Sequence, residues 1–218
     1  MKGKDLNNLV KTIGALKVDV VPMVSEMAIV DAPHVCMMEI ARLDKSPIFD
    51  VESEYLVDCK DLLKLPDSEE FTAKVDGVKY LLENADYRYS FNLVDEEYSK
   101  PRVPKFNPWD FQEVTVSAKK IRDIVSSLKG ISDYVTVECD GDRVTMSVKT
   151  DTKEVKRTVG DCRFEFKSMF PFDYVKRISD VLVGDVTMRF NFDFPTVWTW
   201  SDGCYEYRYL LAPRVERS

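Results

Sequence analysis

Apolar side chains recur at helical spacing in three long stretches of the chain. These are residues 5–17, 117–130 and 171–183. A return every three or four positions is typical of a helix with one buried face. Gly130 suits a helix C-terminus and Pro171 is tolerated near a helix start. A shorter piece, residues 59–65, is stopped by Pro66. The pattern therefore predicts four helices.

Between the helices the pattern changes to apolar runs and alternation, which predict strands. The predicted strands fall in residues 18–24, 27–30, 35–43, 70–75, 78–84, 86–94, 134–149, 153–159 and 186–211. Three Asp-Gly pairs, at 76–77, 140–141 and 202–203, mark hairpin turns. The order helix, strands, helix, strands occurs twice, which indicates a duplicated α+β architecture.

Three prolines separate the two halves. Pro101, Pro104 and Pro108 deny this stretch the donors of a strand ladder and favour an extended connector. We therefore expect an N-terminal domain at 1–94, a connector at 95–110 and a C-terminal domain at 111–218.

Composition narrows the function classes. With 44% hydrophobic and 32% charged residues and no apolar run of membrane-spanning length, the chain is expected to be intracellular. Its five cysteines are widely spaced and are expected to be reduced packing residues. His34 is the only histidine, which leaves no His-based metal cage or catalytic triad within one chain. We expect no catalytic residue, no metal and no cofactor.

The net charge of −7 argues against nucleic acid unless the cations are concentrated on one surface. Each predicted helix carries Lys or Arg on its polar side. The candidate DNA-binding residues are Lys11, Lys60, Lys64, Lys119, Lys120, Arg122, Lys129, Lys176 and Arg177. On any single helix a solvated face is the favoured interpretation. Four such helices on one surface would instead bind phosphates without reading bases.

Three segments together resemble the DNA sliding clamps of the proliferating cell nuclear antigen family. They are the helix and hairpin "SAKKIRDIVSSLKGISDYVTVECDGDRVTMSVKT", the piece "VDAPHVCMMEI" and the terminal "YLLAPRVE". The resemblance covers nearly the whole chain. It departs before the first helix, where only "MKGK" stands in place of a strand, and in the compact region 59–85. The short chain favours an archaeal, viral or plasmid clamp.

The resemblance implies a non-enzymatic polymerase processivity factor. Three identical two-domain subunits would form a ring around duplex DNA, with helices lining the hole and antiparallel sheets outside. Subunits would join through the edges at 86–93 and 152–159, which removes exposed strand edges. Its partners would be duplex DNA, a DNA polymerase, a clamp loader and other replication and repair proteins that carry a short binding motif.

The resemblance also implies a hydrophobic docking pocket beside the connector and the tail. Its residues would be Val30, His34, Val35, Met37, Val103, Phe106, Pro195, Leu210, Leu211, Ala212 and Pro213. Apart from the resemblance, Leu210 and Leu211 would simply complete a core strand. Trp109 or Phe111 are alternatives to Phe106, because the register of the connector is open.

The sequence leaves two alternative functions open. One is a subunit of a heteromeric or checkpoint-type clamp, and the other is a hydrolase that uses Asp140 and Asp142. The hairpin signal at 140–141 and the absence of metal-ligand spacing count against the hydrolase. Trp198 and Trp200 share a strand face, where packing is favoured over base stacking. The expected location is the cytoplasm of an archaeal or virus-infected cell, or the nucleus if the source is eukaryotic.

Overall fold

The computed structural model describes residues 1–62, 65–105, 107, 111–192 and 194–214. Within these ranges the helices are α1 (Gly3–Gly14), α2 (Ala118–Leu128) and α3 (Phe172–Val181). The strands before the connector are β1 (Val20–Pro22), β2 (Glu26–Val30), β3 (Cys36–Arg42), β4 (Leu56–Asp58), β5 (Thr72–Asp76), β6 (Lys79–Glu83) and β7 (Arg88–Val94). Those after it are β8 (Gln112–Ser117), β9 (Tyr134–Cys139), β10 (Arg143–Lys149), β11 (Glu154–Asp161), β12 (Phe166–Pro171), β13 (Asp185–Phe190), β14 (Thr196–Ser201) and β15 (Tyr205–Leu211).

The described part of the first half contains α1 and a five-stranded antiparallel sheet in the order β1-β4-β7-β6-β5. Helix α1 buries Leu6, Leu9 and Ile13 completely, as its periodicity predicts. The helix predicted at 59–65 is wrong for its described part, since residues 59–62 form turns. There the Asp58 carboxylate accepts the backbone N–H of Lys60, a local bond that competes with helix formation.

The second half contains α2, α3 and a four-stranded antiparallel sheet in the order β11-β10-β9-β12. Helix α2 begins where the Ser117 hydroxyl accepts the backbone N–H of Lys120, and Gly130 follows it with φ of 75°. Helix α3 packs against both α2 and α1, so the three helices lie side by side.

A six-stranded antiparallel sheet joins the halves in the order β2-β3-β15-β14-β13-β8. Strand β3 pairs with β15 along its whole length, from Cys36 opposite Leu211 to Arg42 opposite Tyr205. All three predicted Asp-Gly turns are confirmed, with positive φ at Gly77, Gly141 and Gly203.

The cysteine prediction is wrong at one pair. Cys139, at the end of β9, forms a disulfide with Cys162, which follows β11 and has its Cα 6.2 Å away. The hairpins fold these segments together, although 23 positions separate them in the sequence. Cys36 and Cys59 are free and buried, and Cys204 is free and partly buried.

No helix in the described ranges is long and apolar enough to cross a membrane.

Candidate functional site

The segment "DAPHV" forms a turn organised by one buried carboxylate. Asp31 is 3% exposed, and its Oδ1 accepts the backbone N–H groups of Val35 and Cys36, both at 2.8 Å. Its Oδ2 accepts the hydroxyl of Tyr174 in α3 at 2.7 Å. Burial, followed by this bond to Asp31, raises the pKa of Tyr174 to about 12, so the phenol stays protonated and donates. Asp31 thus fixes the turn and links the two halves.

An apolar strip crosses three strands beside this turn. Met37 of β3 lies opposite Val30 on one side and Leu210 on the other, so the three side chains share one sheet face. Val30 and Met37 are half-buried and Leu210 is 3% exposed. Farther along this face the residues become charged or polar, with Glu39 and Arg208 paired at 2.8 Å. The change confines the apolar strip to one end of the sheet.

Strand alternation separates the two tail leucines. Leu211 points to the opposite face from Leu210, lies opposite Cys36 and is completely buried. The assignment of Leu211 to a partner-binding wall is therefore corrected: its side chain belongs to the core. Leu210 remains on the same face as the strip, although little of its surface is exposed.

The tail continues past β15 as extended backbone that bridges two sheets. The N–H of Ala212 donates to the carbonyl of Val35 at 2.9 Å, and the N–H of Arg214 donates to the carbonyl of Met169 in β12 at 2.7 Å. The Arg214 guanidinium lies 4.3 Å from the ring centre of Tyr134. Ala212 and Pro213 are half-buried. The tail is held at both sheets and leaves these two side chains accessible.

The remaining predicted groove residues differ in how exposed they are. His34 is exposed and has φ of 57°, which the turn requires, and Val103 and Pro195 are half-buried. Phe106 lies outside the described residues. The connector is fixed by a residue that the sequence interpretation missed: the Tyr98 hydroxyl donates to the carbonyl of Ala28 in β2 at 2.7 Å. A lone tyrosine among charged residues gave no signal of this contact.

The predicted basic residues divide by their contacts. Within the described ranges, Lys11, Lys119 and Lys129 are exposed and make no side-chain bond. Four others bond to nearby groups: Lys60 to Asp19, Lys120 to the carbonyl of Val159, Arg122 to the carbonyl of Leu182, and Lys176 to Asp180. Lys64 is outside the described residues. Among the described candidates, three lysines therefore have no side-chain partner, and the DNA-binding role of the set stays a prediction.

Arg177 has a structural role that its sequence position did not indicate. It pairs with Asp173, donates to the carbonyl of Ala15 at 2.6 Å and lies 4.3 Å from the ring centre of Tyr174. Ala15 caps the C-terminus of α1, whose last carbonyls need donors. Arg177 therefore joins α3 to α1, and its contact with DNA stays a prediction.

Several strands lie at sheet edges, and one long open edge in each half suits pairing with another copy. In the described structure β11 pairs only with β10, and the Arg88–Asn92 part of β7 pairs only with β6. Both strands are largely exposed. Unpaired ladder groups of this kind favour pairing with another chain.

Solved structures of proliferating cell nuclear antigens (PCNAs) are similar to this chain over its whole length. A PCNA of A. fulgidus, described as bound to the C-terminal region of FEN-1, has a TM-score of 0.84 at 20% identity and covers 100% of this chain and 98% of its own. The PCNA of Entamoeba histolytica has a TM-score of 0.77 at 15% identity, covering 98% and 96%. A PCNA2-PCNA3 complex from Sulfolobus tokodaii has a TM-score of 0.77 at 16% identity, covering 99% and 98%.

No protein-family model and no curated protein sequence matches the chain. The structural likeness shows that it has the PCNA sliding-clamp fold, an α+β arrangement of antiparallel sheets and side-by-side helices.

Proposed function

We propose that this protein is a sliding clamp: a non-enzymatic ring that encircles duplex DNA and tethers replication and repair proteins. The observation that carries the proposal is the full-length clamp fold, in which β7 and β11 each have an exposed stretch of edge without a strand partner in the described structure. Pairing β7 of one copy with β11 of the next would complete both ladders, and in a closed ring neither of these two edges would stay open.

The helix layer supports the DNA partner. Lys11 lies on the exposed side of α1 and Lys119 on that of α2, and Lys129 is exposed just after the end of α2. In a ring whose helices face the hole, these ammonium groups would contact phosphates and carry no sequence information, which permits sliding. An excess of acidic residues elsewhere is compatible with this arrangement, because the distribution of charge governs phosphate binding more than the total.

The ring is tested by light scattering coupled to size-exclusion chromatography, then by retention on closed circular DNA compared with the same DNA after linearisation. We expect a trimer mass and retention on the circle alone. Reversing Lys11, Lys119 and Lys129 to Glu should weaken DNA association at physiological salt and leave the trimer intact. Exposed Lys79, Lys45 and Lys105, outside the proposed subunit edges, provide a triple reversal of equal charge as the control. A monomer that shows no topological retention contradicts the proposal.

The partner groove is proposed to lie on the apolar strip Val30–Met37–Leu210 and the adjoining Val35, Ala212 and Pro213. An extended tail beside an apolar strip suits a short peptide with aromatic and aliphatic anchors, because its backbone can bond the tail while its side chains fill the groove. The FEN-1 C-terminal region seen on a protein of the same fold is consistent with such a partner.

Peptide binding, measured by fluorescence polarisation, tests the groove. Met37→Asp should reduce the affinity by at least about tenfold, because a charge would replace an apolar contact. Glu39→Gln, two positions along the same face but beyond the strip, is the matched control. Equal affinities for both variants would place the peptide elsewhere.

A subunit of a heteromeric clamp is the second candidate. It is favoured by the similarity to a complex between two different PCNA chains. A purified monomer that becomes a ring only when other chains from the same source are added would identify this alternative. We propose that either clamp acts where DNA is replicated, in the cytoplasm of an archaeal or virus-infected cell or in a eukaryotic nucleus.

A further inference from the structure

A cavity of about 230 Å³ lies where the first helix meets the second half. Its walls come from α1, from the segment around the end of α3, from Arg122 of α2 and from the β14–β15 hairpin. The groups that matter for binding are Asn8, Lys11, Arg122, Trp200 and Asp202. The cavity is separate from the apolar strip, and no residue of the groove described above lines it.

The carboxylates of this cavity are already engaged. Oδ1 of Asp202 accepts the backbone N–H groups of Cys204 and Tyr205, at 3.0 and 2.8 Å, and Oδ2 accepts the Tyr207 hydroxyl at 2.8 Å. Asp180 is paired with Lys176 along the same helix. Both negative charges therefore have donors before any ligand arrives.

Most of the hydrogen-bond donors at the cavity, in contrast, have no acceptor in the described part of the chain. Trp200 is 4% exposed, and its indole Nε1 has no acceptor in the described part of the chain. Within the same ranges the Lys11 ammonium and the Asn8 side-chain amide make no bond. Arg122 donates from Nη1 to the Leu182 carbonyl at 2.6 Å, and its other N–H groups make no further hydrogen bond there.

A buried donor without an acceptor is costly, and most such groups bind a partner or an ordered water. Two cationic side chains, an amide and an indole N–H around one cavity select a ligand that is anionic and rich in acceptors. We propose that the cavity binds a phosphate-type oxyanion between Lys11 and Arg122, with small side-chain adjustment bringing an oxygen to the Trp200 N–H.

The oxyanion has two sources, free phosphate and a phosphate of the DNA backbone. The first source does not depend on the clamp function. The second rests on the proposed function, since α1 and α2 face DNA only if the ring forms. In that case the cavity would hold one backbone phosphate through donors grouped around it, whereas Lys119 and Lys129 are exposed outside it.

The indole N–H resonances of the ¹⁵N-labelled full-length protein provide the test. The chain has three tryptophans. The Trp198 indole supplies an internal control, because its Nε1 donates to the Thr196 hydroxyl at 2.9 Å and its side chain is 1% exposed. Trp200→Phe identifies the Trp200 signal. Sodium phosphate should shift that signal saturably and leave Trp198 in place, whereas sodium chloride at equal ionic strength should shift neither.

Lys11→Ala should raise the phosphate Kd by about tenfold, the loss typical of one charge-assisted bond. Lys79→Ala, an exposed lysine on β6, should leave it unchanged. If free phosphate is without effect but a short DNA duplex shifts the Trp200 signal, and Lys11→Ala removes that shift, the source is the DNA backbone.

A Trp200 signal that neither phosphate nor duplex shifts more than the Trp198 signal overturns the site. That result in a protein still retained on circular DNA removes this inference alone. Saturable phosphate binding by a protein that forms no ring contradicts the clamp proposal and leaves the cavity assignment standing.

Discussion

The two halves of the chain differ in how much of their structure they supply themselves. The described part of the second half contains α2, α3, the complete sheet β11-β10-β9-β12 and four adjacent strands of the joining sheet, β15-β14-β13-β8. The first half has one described helix, and its hairpin β2–β3 is completed only by β15 of the second half. A duplicated architecture therefore does not mean two equivalent folding units.

The contacts between the halves explain this dependence. Beyond the β3–β15 ladder, Tyr174 donates to Asp31 and Arg177 donates to the carbonyl of Ala15. The second half thus supplies a partner strand for β3, a hydroxyl donor for the Asp31 carboxylate and a guanidinium donor for the C-terminal end of α1. Separation would leave β3, the Asp31 carboxylate and the end of α1 without these partners, and would also open the β15 edge of the second half.

Separating the halves should have the largest effect. Residues 111–218 expressed alone should show a cooperative thermal transition by near-UV circular dichroism. Residues 1–94 alone should show none, because β3 loses all its pairs with β15 and α1 loses its α3 neighbour. Mixing the two pieces should restore the signal of the first. A cooperative transition in isolated residues 1–94 would contradict the asymmetry.

The Asp31 carboxylate should give the next largest effect. Asp31→Ala leaves two backbone N–H groups and the Tyr174 hydroxyl without their acceptor, and should reduce the free energy of unfolding by about 3 kcal/mol. Tyr174→Phe removes only the bond between the halves and should reduce it by about 1 kcal/mol. Urea denaturation measures both. Equal losses would mean that the turn itself draws little stability from Asp31.

Local features of the fold were predictable, and long-range ones were not. Helices α1, α2 and α3 and the three Asp-Gly turns follow from spacing and turn chemistry within a few residues. Strands β4, β8 and β12 were not predicted, because a short strand is defined by its partner as much as by its own sequence. The pairing of β3 with β15 joins segments more than 160 positions apart, and no periodicity encodes it.

The candidate site shows the same division. The resemblance located the tail and the "DAPHV" turn, but only the observed register separates Leu210 from Leu211. A shift of one residue exchanges the two faces of a strand, so a pair of adjacent leucines is ambiguous in sequence. Similarly, Arg177 and Lys119 are both helical cations in the sequence. In the structure Arg177 donates to the carbonyl of Ala15, whereas Lys119 is exposed.

A pair of glycines, one in each half, offers a smaller test. A Cβ on Gly160 would lie 2.5 Å from Cγ1 of Val114, a side chain that can be shortened. A Cβ on Gly3 would overlap the backbone carbonyl of Pro66, which cannot be removed. We expect losses of about 1 kcal/mol for Gly160→Ala and about 2 kcal/mol for Gly3→Ala.

Rescue distinguishes the two sites. In the double variant Gly160→Ala with Val114→Ala, the loss should be smaller than the sum of the single losses by about 1 kcal/mol, which shows direct coupling. Gly3→Ala with Val114→Ala should be additive. Additivity at both sites would mean that the close approach of β8 and β11 is relieved by backbone movement.

The smallest effect near neutral pH, and a distinct one in alkali, should come from the two acids beside Asp31. Burial, and after it the negative charge of Asp31, raises the pKa of the Cys36 thiol to about 12. Burial, and after it the hydrogen bond to Asp31, raises the pKa of Tyr174 to about 12. Because the fold favours the protonated forms, their contribution is complete below the ordinary values of 9 and 10 and is lost as pH rises towards 12. The melting temperature should therefore be insensitive to these groups at pH 7 and fall between pH 9 and 11.

Cys36→Ala with Tyr174→Phe should make that fall shallower, although both changes lower stability at pH 7. Other buried tyrosines, such as Tyr209, also have a raised pKa and should keep part of the slope. A slope identical to that of the unchanged protein would show that the turn and α3 have already separated before these groups ionise.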